Sequence, residues 1–415
     1  MKFWMYSNFL IPLIQKIFER KISENRKKKR YPHFLLKKEM SGSPRIWFHA
    51  ASVGEFEGMV PLIESLKEVN VDLIVTIFSE SAEKTLSQSM KDWPHVKWGG
   101  YAPFEGEWKN SLEKIKPDLF VTVKYEAWPD LWNALFEYGI PLWILGAQWR
   151  PSLKWVKRIL GKKIPDLHFF SFDEKQLNLL KKFFSKATGQ VVFDPRWDRI
   201  AQRNEVGNPR ARSILESLKD LPRPWGVLGS VWESDIPLLY PSIQREKQLR
   251  GTLFWVPHDV SHSSIQSWKN IFQKKKWNFI DSTHLLEGTL PRWSESRLHH
   301  VFIPEMGFLL ELYAQADWAY VGGGFESGIH STMEPAIHGI PVSGGPCRAE
   351  SFSEITHLIE LGQMRVVRNA DDFHEWITSL QLLSEKKKLS NFLGGTKQIF
   401  TVFVDFLQSK KIKTK

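Results

Sequence analysis

Carboxylates that follow hydrophobic runs are the residues best placed to do chemistry in this chain. "FHAASVGEFEG" (48–58) sets Glu55 directly after Gly54, and "KYEAWPDLW" (124–132) sets Glu126 in a similar position. Either acid could take a proton from a hydroxyl, which is general-base work. Either could equally favour a helix start, where negative charge is stabilising. Pro61 predicts that no single continuous helix runs through the first segment, so Glu55 belongs to a loop or a first turn. Ser52 lacks the G-x-S-x-G surroundings of a hydrolase nucleophile. No Asp-x-Asp pair occurs, which removes the commonest signature of a metal-held nucleotide sugar. The single Cys347 excludes an intramolecular disulfide framework, and no Cys/His spacing suits zinc.

The second group of candidates is glycine-rich. "YVGGGFESGIHSTMEPAIHGIPVSGGP" (320–346) ends a strand in three glycines and starts a helix near Ser331. Glycine lets backbone approach a ligand closely, and a helix start offers free N–H groups to a phosphate. It is neither a Walker loop nor the dinucleotide fingerprint. Ser331-x-x-Glu334 also reads as a capping box, which would satisfy those N–H groups without a ligand. Glu305-Met306-Gly307 forms a second strand-to-helix turn, and "VPHDVSH" (256–262) a third, with His258 just past a strand. Three such turns in one region suggest a nucleotide cradle.

The elements that must carry these residues alternate. Strand-like runs at 45–51, 71–78, 118–124, 141–147 and 167–172 are separated by amphipathic stretches. The pattern restarts at 224–230, 251–257, 299–304, 317–324 and 340–345, after a polar, Pro-bounded connection at 201–224. This predicts two α/β domains in tandem, each a parallel sheet covered by helices on both faces. Ligands in such sheets bind beyond the carboxyl ends of the strands, here between the two domains. At 415 residues the length fits two to three domains, and 42% hydrophobic with 25% charged residues describes a globular chain.

The net charge of +11 is local. Residues 1–38 hold eleven Lys and Arg against Glu19 and Glu24, a net of +9, so the other 377 residues carry only +2. The uncharged stretch Phe3–Gln15 is shorter than a bilayer-spanning helix, and no small-residue cleavage site follows. Aromatic and aliphatic residues followed by "RKKKR" predict a segment lying on an anionic membrane surface. Little aromatic interleaving follows the basic run, so nucleic acid is not an expected partner.

Taken in order, "WFHAASVGEFEGMVPLIESL", "KYEAWPDLW", "IPEMGFLLELYAQADWAYVGGGF" and "GIHSTMEPAIHGIPVSGGP" resemble the 3-deoxy-D-manno-octulosonic acid (Kdo) transferases of Gram-negative bacteria. The match runs from about residue 45 to 346. The resemblance implies a metal-independent, inverting transfer of Kdo from CMP-Kdo to a lipid A precursor (lipid IVA), without a cofactor, at the cytoplasmic face of the inner membrane. Glu55 falls on the family's general base. Glu126 falls on a carboxylate taken to support positive charge developing on the Kdo ring. Arg196, in "FDPRWDRI", falls on the Lys/Arg position that stabilises negative charge on the donor. CMP would be held by Pro257 and His258, by Met306, Gly307 and Phe308, and by Ser331, Thr332, Met333 and Glu334. Glu334 would accept from ribose hydroxyls, and the helix start at Ser331 would face the phosphate.

Three positions depart from the family pattern. His258 stands where many relatives have Arg, which makes phosphate charge compensation weaker or pH-dependent. Ser331 replaces a common Asn, and Lys124 replaces the first acid of the motif that ends in Glu126.

The expected architecture is α/β of the GT-B type: two Rossmann-like domains with a cleft between them, plus an N-terminal membrane-associated helix. The expected boundaries are 1–38 for the basic segment, 39–205 for an acceptor-binding domain and 206–415 for a nucleotide-binding domain, whose last helix packs back on the first. Two other readings are a GT-B glycosyltransferase with a different nucleotide-sugar donor and a non-catalytic membrane- or nucleic-acid-binding protein that uses the basic arm.

Overall fold

The structure is a computed structural model and describes residues 34–124, 126–245, 251–277, 279–282, 298–326, 328–349, 352–380 and 392–413. The expected N-terminal membrane helix lies outside the described residues, apart from the end of the basic segment. The chain forms two compact units. The first runs to Arg199 and takes in the chain from Phe392 onward, and the second is Ile200–Asn391.

In the first unit, eight strands pair in the order β1-β4-β3-β2-β5-β6-β7-β8. They are β1 (Phe34–Lys37), β2 (Arg45–Ala50), β3 (Asp72–Ile77), β4 (Val96–Tyr101), β5 (Leu119–Val123), β6 (Leu142–Leu145), β7 (Leu167–Ser171) and β8 (Thr188–Val191). All pairings are parallel except the edge strand β1 on β4. The inner strands are nearly continuous apolar runs because helices cover both of their faces. Ile46, Phe48 and Ala50 point to one face with Phe56, Met59 and Ile63 of α1 (Val53–Ser65). Trp47, Ile74 and Phe120 point to the other, where α3 (Trp108–Ile115), α4 (Pro129–Tyr138), α5 (Pro151–Leu160) and α6 (Glu174–Phe183) pack; α2 (Glu83–Asp92) lies on the first face.

One expectation is corrected here. α1 runs unbroken from Val53 to Ser65 with Pro61 inside it. An internal proline costs ~3 kcal/mol, but α1 buries Phe56, Met59, Val60, Leu62 and Ile63 around it. At ~1.5–3 kcal/mol for each large side chain, burial outweighs the defect. The connection at 201–224 is largely helical. The chain passes from one unit to the next inside α7 (Pro195–Val206), and α8 (Pro209–Ser217) follows at once. The C-terminal helix Gly395–Lys413 belongs to the first unit, where Ile399, Phe403 and Leu407 enter the same core as α1. Asp198 fixes its start by accepting from the Gly394 and Thr396 amides, both at 2.7 Å.

In the second unit, seven parallel strands run in the order β11-β12-β10-β9-β13-β14-β15. They are β9 (Trp225–Val231), β10 (Gly251–Pro257), β11 (Phe279–Asp281), β12 (Leu298–Phe302), β13 (Trp318–Val321), β14 (Val342–Gly344) and β15 (Met364–Val366). α8 packs on one face, and α9 (Ile236–Arg245) and α10 (His262–Lys274) pack on the other. Both units are therefore Rossmann-like sheets. In each, the order turns outward in opposite directions from one central junction, β2 beside β5 and β9 beside β13. Ligands of open α/β sheets bind at the carboxyl ends of the strands beside such a reversal.

Candidate active site

Glu55 and Glu126 sit at the reversal of the first unit. β2 ends at Ala50, Ser52 caps α1, and Glu55 occupies its first turn. The Ser52 hydroxyl accepts from the Glu55 amide at 3.4 Å, and Glu55 Oε2 reaches back to accept from the Ala51 amide at 2.7 Å. The sequence alternatives for Glu55 are thus joined: the helix-start role fixes the position of a carboxylate that lies at a ligand-binding edge. Burial raises its pKa, against the lowering effects of the Ala51 amide, Lys124 and the Ser52 amide.

Glu126 lies three residues beyond β5 and is almost fully buried. Its Oε2 accepts from Trp128 Nε1, and Trp132 Nε1 donates to its backbone carbonyl at 3.1 Å. Burial first, then the neighbouring Glu55 charge, pushes its pKa up to about 7, against the lowering effect of the Trp128 bond. A carboxylate whose ionisation is opposed by a neighbouring one is a familiar way of dividing acid and base roles near neutral pH. Lys124, the departure beside them, stands at φ 58° and lowers the Glu55 pKa.

Sequence reasoning passed over His49, although it lies inside the first motif. It is 1% exposed, with Nε2 3.9 Å from Glu126 Oε2. Its signal was a polar residue on the strand face occupied two positions earlier by Trp47.

Arg196 opens α7 and is held by its neighbour. Its Nε and Nη2 donate to Asp194 Oδ2 at 2.9 and 2.5 Å, and its amide donates to Asp194 Oδ1 at 2.9 Å. A Cβ added at Gly58 would lie 3.6 Å from Arg196 Cγ. Gly58 follows Glu55 by three residues on the same face of α1, so the structure brings the Arg196 stem and Glu55 to one side of that helix.

The nucleotide candidates follow β10, β12 and β13 of the second sheet, from the last residue of β10 (Pro257) to the helical turn that holds Met333 and Glu334, but their side chains differ in availability. Pro257, Phe308, Thr332 and Met333 are buried, so Pro257, Phe308 and Met333 can offer a ligand backbone rather than side chain. Met306 is 79% exposed. Gly307 adopts φ 82°, where its carbonyl accepts from Asn208 Nδ2 at 2.9 Å. The capping box at Ser331 is corrected: α11 (Met333–Ala336) is a single short turn with Thr332 at its N-cap. Ser331 lies one residue outside the cap. Glu334 Oε1 pairs with Arg203 Nη1 at 3.2 Å.

Around His258 the structure assembles residues the motifs did not single out. Trp232, just after β9, donates Nε1 to His330 Nε2 at 2.8 Å. The His258 ring stacks on both partners, 4.1 Å from His330 and 4.6 Å from Trp232. Burial lowers the His258 pKa, and burial followed by His258 takes His330 to about 4. Asp235 ties the edge together, accepting from the Trp232 amide at 2.8 Å, Tyr320 Oη at 2.7 Å and the Gly323 amide at 3.4 Å. All three glycines are demanded by packing: a Cβ at Gly322 would meet Ser230 O at 2.4 Å, one at Gly323, which stands at φ 87°, would meet Gly328 O at 2.5 Å, and one at Gly324 would meet Gly345 Cα at 2.4 Å.

Comparison with known proteins agrees with the motifs. Residues 17–182 match the family model described as 3-deoxy-D-manno-octulosonic-acid transferase (kdotransferase). A 3-deoxy-D-manno-octulosonic acid transferase of Aquifex aeolicus is 25% identical over 83% of this chain and 87% of its own length. One from Chlamydia pneumoniae is 25% identical over 87% and 82%, and one from Rickettsia prowazekii 22% over 84% and 74%. Among solved structures, the UDP-GlcNAc 2-epimerase of Neisseria meningitidis superposes with a TM-score of 0.57 at 15% identity, covering 87% of this chain and all of that one. MurG of Acinetobacter baumannii gives 0.52 at 13%, covering 88% and 99%. These two likenesses concern the fold and bear out the GT-B architecture. The motifs, the family model and the curated relatives thus agree in what this chain is similar to, the Kdo transferases.

Proposed function

We propose that this protein transfers Kdo from CMP-Kdo to a lipid A precursor, lipid IVA, with inversion and without a metal, at the cytoplasmic face of the inner membrane. The observation that carries the reading is the Glu55–Glu126 pair at the strand reversal of the first unit, both with raised pKa values. The curated relatives, named as Kdo transferases, supply the sugar. The missing Asp-x-Asp pair supports the metal-independent part.

In this reading Glu55 accepts the proton of the acceptor's sugar hydroxyl as the oxygen attacks the anomeric carbon of Kdo. Its raised pKa makes it a better base than an exposed glutamate near neutral pH. The bond from that carbon to the CMP phosphate breaks, and its electron pair leaves with the phosphate. Glu126, as a carboxylate, offsets positive charge on the ring. Arg196, held by Asp194, faces negative charge on the donor. Backbone at 257–258, 306–308 and 331–334 holds CMP, with Glu334 on the ribose. The anionic membrane surface is engaged through residues 1–38.

The test is incubation of the full chain with CMP-Kdo generated in situ and tetra-acylated lipid A precursor, with the product read by mass. Wild type is expected to yield Kdo-lipid, and Glu55→Gln to lose at least a hundredfold in rate. Absence of product from wild type overturns the function, and full activity in Glu55→Gln overturns the base assignment. UDP- and GDP-sugars in place of CMP-Kdo distinguish the alternative donors.

A further inference from the structure

The carboxyl edge of the second sheet gathers neutral rings. Backbone bonds knit three strand ends together there: the His258 amide donates to the Val231 carbonyl at 3.0 Å, and the His330 amide to the Gly322 carbonyl at 3.2 Å. The Trp232 and His330 planes lie 17° apart, and the His258 ring covers both, 9° from the plane of His330. An indole nitrogen only donates, so the bond from Trp232 Nε1 needs a lone pair on His330 Nε2. An imidazolium has no such lone pair, and His330 is therefore neutral. Burial also favours the neutral form of His258, against the smaller pull of Asp259. Two arginines whose partners stand in or beside the nucleotide segments are occupied, Arg203 by Glu334 at 3.2 Å and Arg210 by Glu305 at 2.7 Å.

Arg348 is different. It follows β14, the neighbour of β13, and so stands at the same edge. Its side chain is exposed, and its guanidinium has no hydrogen bond or ion pair among the described residues. The acid of the adjoining loop, Glu326, accepts from Ser234 Oγ at 2.9 Å instead. Arg348 also stands at φ 59°, a left-handed conformation unfavourable for any residue with a Cβ. The surrounding loops impose it: the Cys347 amide donates to the Gly324 carbonyl at 2.9 Å, and the Ile329 amide to the Cys347 carbonyl at 3.3 Å. The Arg348 stem crosses Gly328, where an added Cβ would lie 3.1 Å from Cδ. Gly328 precedes His330 by two residues. An unfavourable backbone thus holds an unpaired cation beside a neutral stack, and strained residues of this kind gather at binding sites.

We propose that Arg348 is the cation of the nucleotide site and binds the phosphate of a nucleoside monophosphate group beside the Trp232–His330–His258 stack. The inference rests on the reading of the second unit as the nucleotide-binding one. Neutral rings can hold the uncharged parts of a nucleotide, but a phosphate leaving water needs a positive charge to offset its lost hydration. A guanidinium supplies that charge together with two parallel N–H donors.

The experiment measures binding of CMP and of cytidine to the full chain by calorimetry, in wild type, Arg348→Gly and Arg348→Lys. Glycine is at ease at φ 59°, so Arg348→Gly removes the cation without straining the loop, and its thermal unfolding is expected no lower than that of wild type. CMP should bind this variant roughly ten- to hundredfold more weakly, the size of one hydrogen bond to a charged group. Cytidine, which has no phosphate, should bind both proteins alike. Arg348→Lys keeps a point charge without the fork and is expected to recover part of the CMP affinity. Unchanged CMP affinity in Arg348→Gly overturns the proposal, as does an equal loss for CMP and cytidine, which a merely structural role would give. If wild type prefers UMP or GMP and Arg348→Gly weakens that nucleotide alone, the phosphate role stands and the CMP-Kdo donor falls. If wild type binds none of the three, the phosphate role falls with the nucleotide reading. If CMP binding depends on Arg348 as expected but wild type transfers no sugar, the site stands and the proposed transfer falls.

Discussion

Glu126→Gln should make the protein more stable in alkali while weakening its chemistry. In the folded chain Glu126 keeps its proton to about 7, whereas the ordinary value is 4.5. Between those pH values the folded state holds a proton that the unfolded state has released. Stability therefore falls as pH rises through this window and levels off above it. A difference of roughly 2.5 pH units at 1.36 kcal/mol each is about 3 kcal/mol. Glutamine has nearly the same shape, can still accept from Trp128 Nε1, and is neutral at every pH. The advantage of the variant over wild type is thus expected to be about 3 kcal/mol larger at pH 8 than at pH 5. The Glu55 contribution has the same sign in both proteins and largely drops out of that comparison. Hydrogen exchange of the β2, β3 and β5 amides reads the first unit alone, which a single melting temperature of a two-unit chain does not. In the same variant Kdo transfer is expected to fall by roughly a hundredfold, the cost of losing one charge aimed at a transition state. Parallel stability profiles from pH 5 to 8 would refute the argument that burial of Glu126 is relieved by protonation. Undiminished transfer would refute its role in the reaction.

Two other perturbations test other parts of the molecule. His258→Arg places a permanent cation at the first nucleotide turn; burial lowers the His258 pKa, so CMP should bind the variant more tightly at pH 8, by roughly tenfold, with a smaller gain at an acidic pH low enough for the wild-type imidazole to take up a proton. Calorimetric titration at both pH values checks this, and an equal gain at both would show that His258 charge plays no part. Phe403→Ala removes a side chain that stacks on Phe48 at 5.8 Å and meets Trp143 edge-on at 4.7 Å. It should destabilise the first unit by ~3–5 kcal/mol and raise hydrogen exchange in β2, with β9 and β10 of the second unit unchanged.

The strands that sequence made legible are those with apolar residues on both faces. The run 71–78 became β3 (Asp72–Ile77), and 251–257 became β10 to the residue. Those that escaped have physical reasons to look unlike strands. β4 contains Gly99 and Gly100, and a Cβ at Gly99 would strike the Met90 sulfur at 2.0 Å, so glycine there answers to packing rather than to a turn. β8 is a sheet-edge strand, "TGQV", with no fully buried residue, so apolar periodicity has nothing to act on. Pro61 misled because a local backbone rule was set against the burial of an entire helix face, and the face prevailed.

The same division explains the site. Glu55 and Glu126 could be found because each follows an apolar run, and in a sheet of this topology the residues just beyond such runs gather at one edge. What sequence order does not show is which strand ends become neighbours. β2 and β5 are separated in the chain by two strands and three helices, yet they pair directly, with His49 opposite Thr122. That pairing sets the strand reversal, buries Glu126 and lets the Glu55 charge reach it. The raised pKa of Glu126 is therefore a property of strand order. Moving either acid to another strand end of the same sheet would keep the motif and lose the coupling, which is why the chemistry follows the β2–β5 junction rather than either motif alone.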